Sequence, residues 1–282
     1  MTAEMTIDPI LHRIGHHGPV AADLETLFAL HRAWRQAVPY ENLDIQLGRP
    51  ISLEPDALFD KLVRRRRGGY CYEQNAGLAM LLRLAGFQVT MVEAGVLRAA
   101  RGEAMWGNHN ALLVDLDGRR WLADAGIGDG FVEPLPLREG PHTQGDLTYR
   151  LEQLDPDTWR FRHHPSGSIA SYDFRLLPRE IADFAARCRE LSTSAESAYV
   201  TTLMAARPVA GHTLLLLSRT LRRLGTDGRT SRTIGDAAEF ARTLSTDFLV
   251  PLNELGQDGV ARLWFKTGTQ DDLWRARVSD IP

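Results

Sequence analysis

The sequence predicts an α+β protein, and three observations predict it. Through the first third, apolar residues recur at helical spacing: Leu24, Leu27, Phe28, His31 and Trp34 fall on one stripe. After Gly86 the pattern turns strand-like, with Val89, Met91 and Val92, then Val96 and Leu97, then two runs flanking Asp117-Gly118. The last third mixes both patterns.

Taken in order, a helix is expected over residues 22–35, capped by Asp23. His31 lies on its apolar stripe and reads as a core or boundary residue with no catalytic role. Pro39 breaks the helix, because the residue before a proline avoids the helical region. A second helix starts at Ser52 as cap, with Pro55 in its first turn and Leu58, Phe59, Leu62 and Val63 as its apolar face. Four arginines, Arg64 to Arg67, occupy its last turn, where cations suit the dipole, and read as a solvated helix end. A Gly68-Gly69 turn leads into a third helix with Leu78, Leu81, Leu82 and Ala85 on one face.

Further on, a hairpin is expected over residues 149–163, turning at 155–157, then a strand over 169–174 and a helix over 178–191. Strands follow at 199–206, 213–221 and 229–234, with a turn at 225–228. A helix over 236–244 is capped by Asp236, and residues 259–265 form a short ambiguous element.

Composition narrows the class. The chain has 282 residues, 44% hydrophobic and 24% charged, as in an ordinary globular protein of one large domain or a few sharing a core. The net charge of −3 gives no reason to expect nucleic-acid binding. No apolar run approaches the ~18 residues of a membrane span, and residues 1–9 lack the pattern of a signal peptide. The only two cysteines, Cys71 and Cys188, are too few for a disulfide framework, so a cytoplasmic location is expected.

Chemistry concentrates at Cys71. Placed in the first turn of a helix, it faces unpaired N–H groups and the positive dipole end, which favour a thiolate and can receive an oxyanion. Asp117-Gly118 is a two-residue hairpin signal of type I′. It pairs Leu116 with Arg119, so paired positions sum to 235 and Asp124 falls opposite Ala111. His109 lies two residues from Ala111 on the same face, diagonal to Asp124, with Cα atoms roughly 7–8 Å apart. Cys71, His109 and Asp124 thus form a candidate triad. The histidine takes the thiol proton, and the aspartate fixes its tautomer and favours its charged form. The triad alone leaves the reaction open, since cysteine proteases, transglutaminases and acyltransferases all use one.

Other polar residues read as structural. Glu41 and Asn42 bond to backbone near the cysteine helix, Glu73 and Asn75 support its start, and Cys188 is packing. Adjacent His163 and His164 point to opposite faces of a strand end, are exposed, and make a poor metal pair. No metal site is expected.

Residues 67–75, Arg-Gly-Gly-Tyr-Cys-Tyr-Glu-Gln-Asn, resemble the RGGxCxExN signature of arylamine N-acetyltransferases. Val-Pro-Tyr-Glu-Asn-Leu at 38–43 resembles the family's PFENL segment. His-Asn-Ala-Leu at 109–112 resembles its histidine strand, and Asp-Ala-Gly-Ile-Gly at 124–128 its DVGFG segment. Ser192-Thr193 and residues 197–201 resemble the stretch opening its last domain, so the likeness spans nearly the whole chain.

The resemblance implies an N-terminal helical bundle carrying the nucleophile (residues 1–88), a central antiparallel β-barrel carrying His109 and Asp124 (89–194), and a C-terminal α/β lid (195–282), around a cysteine-protease-like core. It implies ping-pong transfer of acetyl from acetyl-CoA to an arylamine or arylhydrazine through Cys71. No permanently bound cofactor is implied; acetyl-CoA is the donor substrate. Gly126, Gly128 and Gly130 would approach the coenzyme, and Tyr40, Ile127 and Tyr199 would line the acceptor pocket, where phenylalanine is common in related bacterial enzymes. Charge and hydropathy give no reason to expect a nucleic-acid or membrane partner, and a homodimer is possible. A related reading is an amide synthase that closes a polyketide macrolactam from a carrier-bound thioester; a cysteine hydrolase is a third.

Overall fold

The computed structural model describes residues 5–225 and 228–270. The turn expected at 225–228 includes two residues outside them. The helical part comes first. Leu24–Ala37 is a helix whose N-cap, Asp23, accepts the Thr26 N–H at 2.8 Å, a contact worth about 1 kcal/mol. After a short helical turn at Leu43–Gln46, the helix expected from Ser52 starts at Pro55. Ser52 Oγ accepts the Glu54 N–H instead, and the helix passes into a π-turn over Asp60–Arg64. The helix Cys71–Leu84 is buried nearly all round, from Cys71 to Leu82. It packs against the other helices through Leu78, Leu81 and Leu82, and against the first strands of the sheet.

Eight antiparallel strands follow, in the spatial order Leu135–Pro136, Arg119–Ala123, His109–Leu116, Gln88–Val96, Ser171–Arg179, Thr158–Arg162, Leu147–Asp155 and Gly140–Gln144. The two edge strands are joined by residues 137–139 alone, so the sheet must curl until its edges nearly meet, as a barrel. The strand His109–Leu116 is buried on both faces. Leu112 and Val114 pack on the helices, while Ala111 and Leu113 point into the barrel with Tyr149, Phe161 and Phe174. Its partner pairs as expected, from Leu116–Arg119 to Leu112–Ala123.

A second antiparallel sheet has five strands: Tyr40–Glu41, Met204–Val209, His212–Leu217, Thr220–Gly225 and Gly228–Thr233. Its first strand comes from the helical third. The PYENL segment is therefore stitched to the C-terminal part, and also bridges to Gly69 just before the cysteine helix. Helices Ala237–Arg242 and Gln257–Thr269 cover this sheet.

Several sequence expectations change. Residues 259–265 belong to a helix, Gln257–Thr269. Tyr199 lies in a short helical turn, Ala198–Thr201, capped by Ser197. The expected helix at 178–191 begins only after a strand that runs to Arg179, with its α-helical part at Ala185–Thr193. The expected strand 213–221 is broken at Ser218, where the chain takes a positive φ of 51° and turns back.

Candidate active site

Cys71 is the first residue of its helix and is 1% exposed. The turn before it is built by close approach. A Cβ on Gly68 would collide with the Pro39 carbonyl, and one on Gly69 would sit 2.6 Å from Glu73 Cβ. Glu73 closes a capping box by accepting the Tyr70 N–H at 3.2 Å.

Arg67 is the main correction to the sequence reading. Of the four arginines, Arg64 is half exposed beside Asp60, but Arg67 is fully buried. Its guanidinium meets Glu41 at 2.8 Å and Asp44 at 3.2 Å. Lys61 joins Asp44 (2.8 Å) to Glu73 (2.7 Å), which completes a buried cluster of three carboxylates and two cations under the helix start. At Asp44, burial works to raise the pKa, but Lys61 and Arg67 outweigh it and hold the group far below the carboxylate range. At Glu73 burial is the larger influence and leaves the carboxyl above its ordinary value.

His109 and Asp124 meet as the hairpin register requires. His109 Nε2 and Asp124 Oδ2 are 2.8 Å apart, and both side chains are 1% exposed. Asp124 Oδ1 accepts from Asn75 Nδ2 (2.9 Å) and from the Gly126 N–H (2.7 Å). Burial pushes Asp124 up, yet the His109 charge and these hydrogen bonds hold its pKa below the usual value. The carboxylate therefore stays ionised and can stabilise an imidazolium. With Nε2 donating to Asp124, Nδ1 is left as the basic nitrogen. Tyr172 packs edge-on against the imidazole at 5.2 Å.

Gly126 packs against the Cys71 backbone, the His109 ring and the Asn75 amide. A Cβ there would lie 2.8 Å from His109 Cε1, 3.0 Å from Cys71 Cα and 2.7 Å from Asn75 Nδ2. The Cys71 sulfur lies 3.9 Å from both the Asn108 carbonyl oxygen and the Tyr199 hydroxyl. Its acidity departs from the sequence expectation. Burial, the largest influence, pushes the thiol well above the cysteine range, and the Tyr199 hydroxyl and Tyr72 N–H only partly offset it. A helix start alone does not ionise this thiol; the proton needs a base to go to.

Two residues given no functional part by sequence hold the aspartate segment. His31 is fully buried; its Nε2 accepts the Asp124 N–H at 3.2 Å and its Nδ1 donates to the Val132 carbonyl at 2.7 Å. Burial lowers its pKa to about 4, so it is a neutral acceptor. Arg35, 3% exposed, donates to the carbonyls of Ala125, Ile127, Gly128 and Gly130 at 2.5–3.3 Å. These contacts span 90 residues or more, and no local pattern signals them.

A cavity of about 450 Å³ is lined in part by Tyr40, Asn108, Gly126, Ile127, Gly128 and Tyr199, of which Asn108 and Tyr199 reach the Cys71 sulfur. Tyr40, Ile127 and Tyr199 thus share one wall system. Gly126 and Gly128 border the cavity too. Gly130 does not; its N–H closes a turn on Ile127 O and its carbonyl takes Arg35. A second cleft, near Arg13, Arg66 and Pro251, shares no lining residue with this cavity and holds no nucleophile–base pair.

The remaining candidates have packing roles. Cys188 accepts from the Tyr70 hydroxyl at 2.9 Å. His163 is not exposed as expected: its side chain is 3% exposed and its Nε2 donates to the Asp129 carbonyl at 3.1 Å. Among the described residues, no group of three His, Cys, Asp or Glu side chains could hold a metal ion, and no helix is long and apolar enough to cross a membrane.

Comparison with known proteins places this geometry in a family. Residues 23–256 match the family model described as N-acetyltransferase. An arylamine N-acetyltransferase of Mycolicibacterium smegmatis is 35% identical over 218 residues, which cover 72% of this chain and 76% of that enzyme. The Escherichia coli (strain K12) arylamine N-acetyltransferase is 35% identical over 189 residues, 62% of this chain and 65% of that enzyme's length. The structure of the Mycobacterium marinum arylamine N-acetyltransferase in complex with CoA superposes with a TM-score of 0.85 at 30% identity, over 94% of this chain and 99% of that one. The chain therefore belongs to the arylamine N-acetyltransferase family and is an acyltransferase.

Proposed function

We propose that Cys71 carries acetyl from acetyl-CoA to an arylamine or arylhydrazine in two half-reactions, with His109 as base and Asp124 as its orienting carboxylate. The observation that carries the assignment is the 2.8 Å His109–Asp124 bond set across Gly126 from Cys71, beside a cavity of about 450 Å³. In the first half-reaction His109 takes the thiol proton and the thiolate attacks the acetyl carbonyl carbon. CoA leaves as its thiol, with the proton returned by His109. Exchange of one thioester for another is close to thermoneutral, so the acetyl group stays reactive. In the second half-reaction the amine nitrogen attacks the acetyl carbon, the C–S bond breaks, and His109 accepts the amine proton. An arylamine is weakly basic, so it is neutral and nucleophilic at neutral pH.

Tyr40, Ile127 and Tyr199 line the space offered to the acceptor, and Gly126 and Gly128 let the donor approach the sulfur. Gly130 acts from behind through the Arg35 clamp. Oxyanion donors come from backbone N–H groups at the start of the Cys71 helix.

Intact-protein mass spectrometry after brief incubation with acetyl-CoA and no amine tests the reading. The expected result is a gain of one acetyl group, absent in Cys71→Ala and discharged by an aniline. A wild-type thiol that alkylates rapidly but gains no acetyl would overturn acetyl-CoA as donor.

A further inference from the structure

One hydroxyl stands beside the nucleophile. Tyr199 Oη lies 3.9 Å from Cys71 Sγ. Its ring borders the cavity. Tyr199 is held there from several sides. Its backbone carbonyl accepts from Asn42 Nδ2 at 2.9 Å and Gln46 Nε2 at 2.6 Å, and its ring packs edge-on against Tyr70, the residue before the nucleophile, at 5.1 Å. These contacts fix where the hydroxyl can reach.

The direction of the bond follows from proton counting. Beside a neutral thiol either atom can donate. A thiolate has no proton and only accepts, so the Tyr199 hydroxyl donates to it. Burial raises the phenol above its ordinary value, and the nearby Cys71 charge adds to this, so it stays protonated when the thiolate forms.

We propose that Tyr199 is a catalytic hydrogen-bond donor to the Cys71 thiolate. This rests on the reading of Cys71 as the nucleophile. The sulfur is anionic before it attacks the donor, and again when the amine displaces it. In that displacement the amine lone pair forms the C–N bond, the C–S electron pair returns to sulfur, and the amine proton passes to His109. Between these events the sulfur is a neutral thioester and a weak acceptor. The hydrogen bond is thus stronger where charge is on sulfur, and shortens from its resting distance as that charge appears.

The test is the rate of Cys71 alkylation by iodoacetamide against pH, with no acyl donor or amine present. Wild type is compared with Tyr199→Phe, which keeps the ring. Loss of the Tyr199 donor raises the midpoint of thiolate formation by up to about one unit, an up to tenfold loss of thiolate below the midpoint. A Tyr199→Phe profile superimposable on wild type overturns the proposal. If that variant melts early, both profiles are taken well below its melting temperature, where a raised midpoint supports the proposal and an unchanged one overturns it. Because alkylation needs no acetyl-CoA, this outcome is separate from that of the acetylation experiment.

Discussion

Asn75 Nδ2 donates to Asp124 Oδ1 at 2.9 Å, and the same amide's oxygen accepts the Ala125 N–H at 2.8 Å. Asn75 stands one helical turn beyond Cys71, so this side chain locks the nucleophile's helix to the aspartate strand. Its Nδ2 also reaches the Asn110 carbonyl at 2.6 Å, next to His109. One amide therefore sets the relative position of all three triad members.

Asn75→Ala is expected to lower the rate of acetyl-enzyme formation by roughly 10- to 100-fold, the kinetic equivalent of losing one charge-assisted hydrogen bond of about 1.5–3 kcal/mol. Stopped-flow acetylation measures it. Asn75→Asp should be worse than Ala, because it sets a second carboxylate against Asp124 and removes the donor. A variant with wild-type acetylation would show that helix packing alone aligns the triad.

Gly126→Ala tests the gap between base and nucleophile. The added methyl would meet the His109 ring, the Asn75 amide and the Cys71 backbone at 2.7–3.0 Å, and none of these is the free end of a flexible chain. Acetylation should fall by at least about 100-fold, as a displacement near 1 Å at reacting groups costs. Global stability should fall by about 1–3 kcal/mol. Acetylation kinetics beside urea unfolding separates the two effects; equal activity would mean the loop relaxes away from the site.

What was legible in the sequence was local. Asp117-Gly118 fixes the turn, the turn fixes the register, and the register brings His109 to Asp124. The Cys71 helix start was readable from Gly68-Gly69 and the apolar spacing that follows. What failed depended on distant partners. Arg67 looked like a solvated helix end because Glu41 and Asp44 lie more than 20 residues away in sequence. His31 and Arg35 looked like ordinary helix residues, since the groups they hold lie in residues 124–132. His163 looked exposed because nothing near it announces Asp129. A helix dipole is visible in sequence, whereas the depth of burial, which pushes the thiol up, is not.

Arg67→Ala should destabilise the protein by about 3–5 kcal/mol, because it leaves Glu41 and part of Asp44 buried without their cation. Arg67→Met, which refills the volume, should cost nearly as much, since the unpaired carboxylates remain. Chemical denaturation of both variants measures this. A loss below about 1 kcal/mol would show that water or Lys61 compensates. Arg64→Ala, at the half-exposed end of the same run, should change stability by less than about 0.5 kcal/mol.

His31 makes stability, and with it the aspartate's position, depend on pH. Burial lowers its folded pKa to about 4 from an ordinary 6.5. The unfolded chain therefore binds more protons between these values, and stability rises with pH across that window. The contribution is full above about pH 6.5 and is lost as pH falls toward 4, on the order of 3 kcal/mol in total. Protonation at Nε2 would also remove the acceptor of the Asp124 N–H and set a cation near Arg35. Urea unfolding between pH 4 and 7 should show this slope in wild type and a flatter one in His31→Gln. At pH 7 that variant should be less stable, and it should acetylate more slowly if the amide fails to hold Asp124. An identical slope in both proteins would show that His31 does not carry the acid sensitivity.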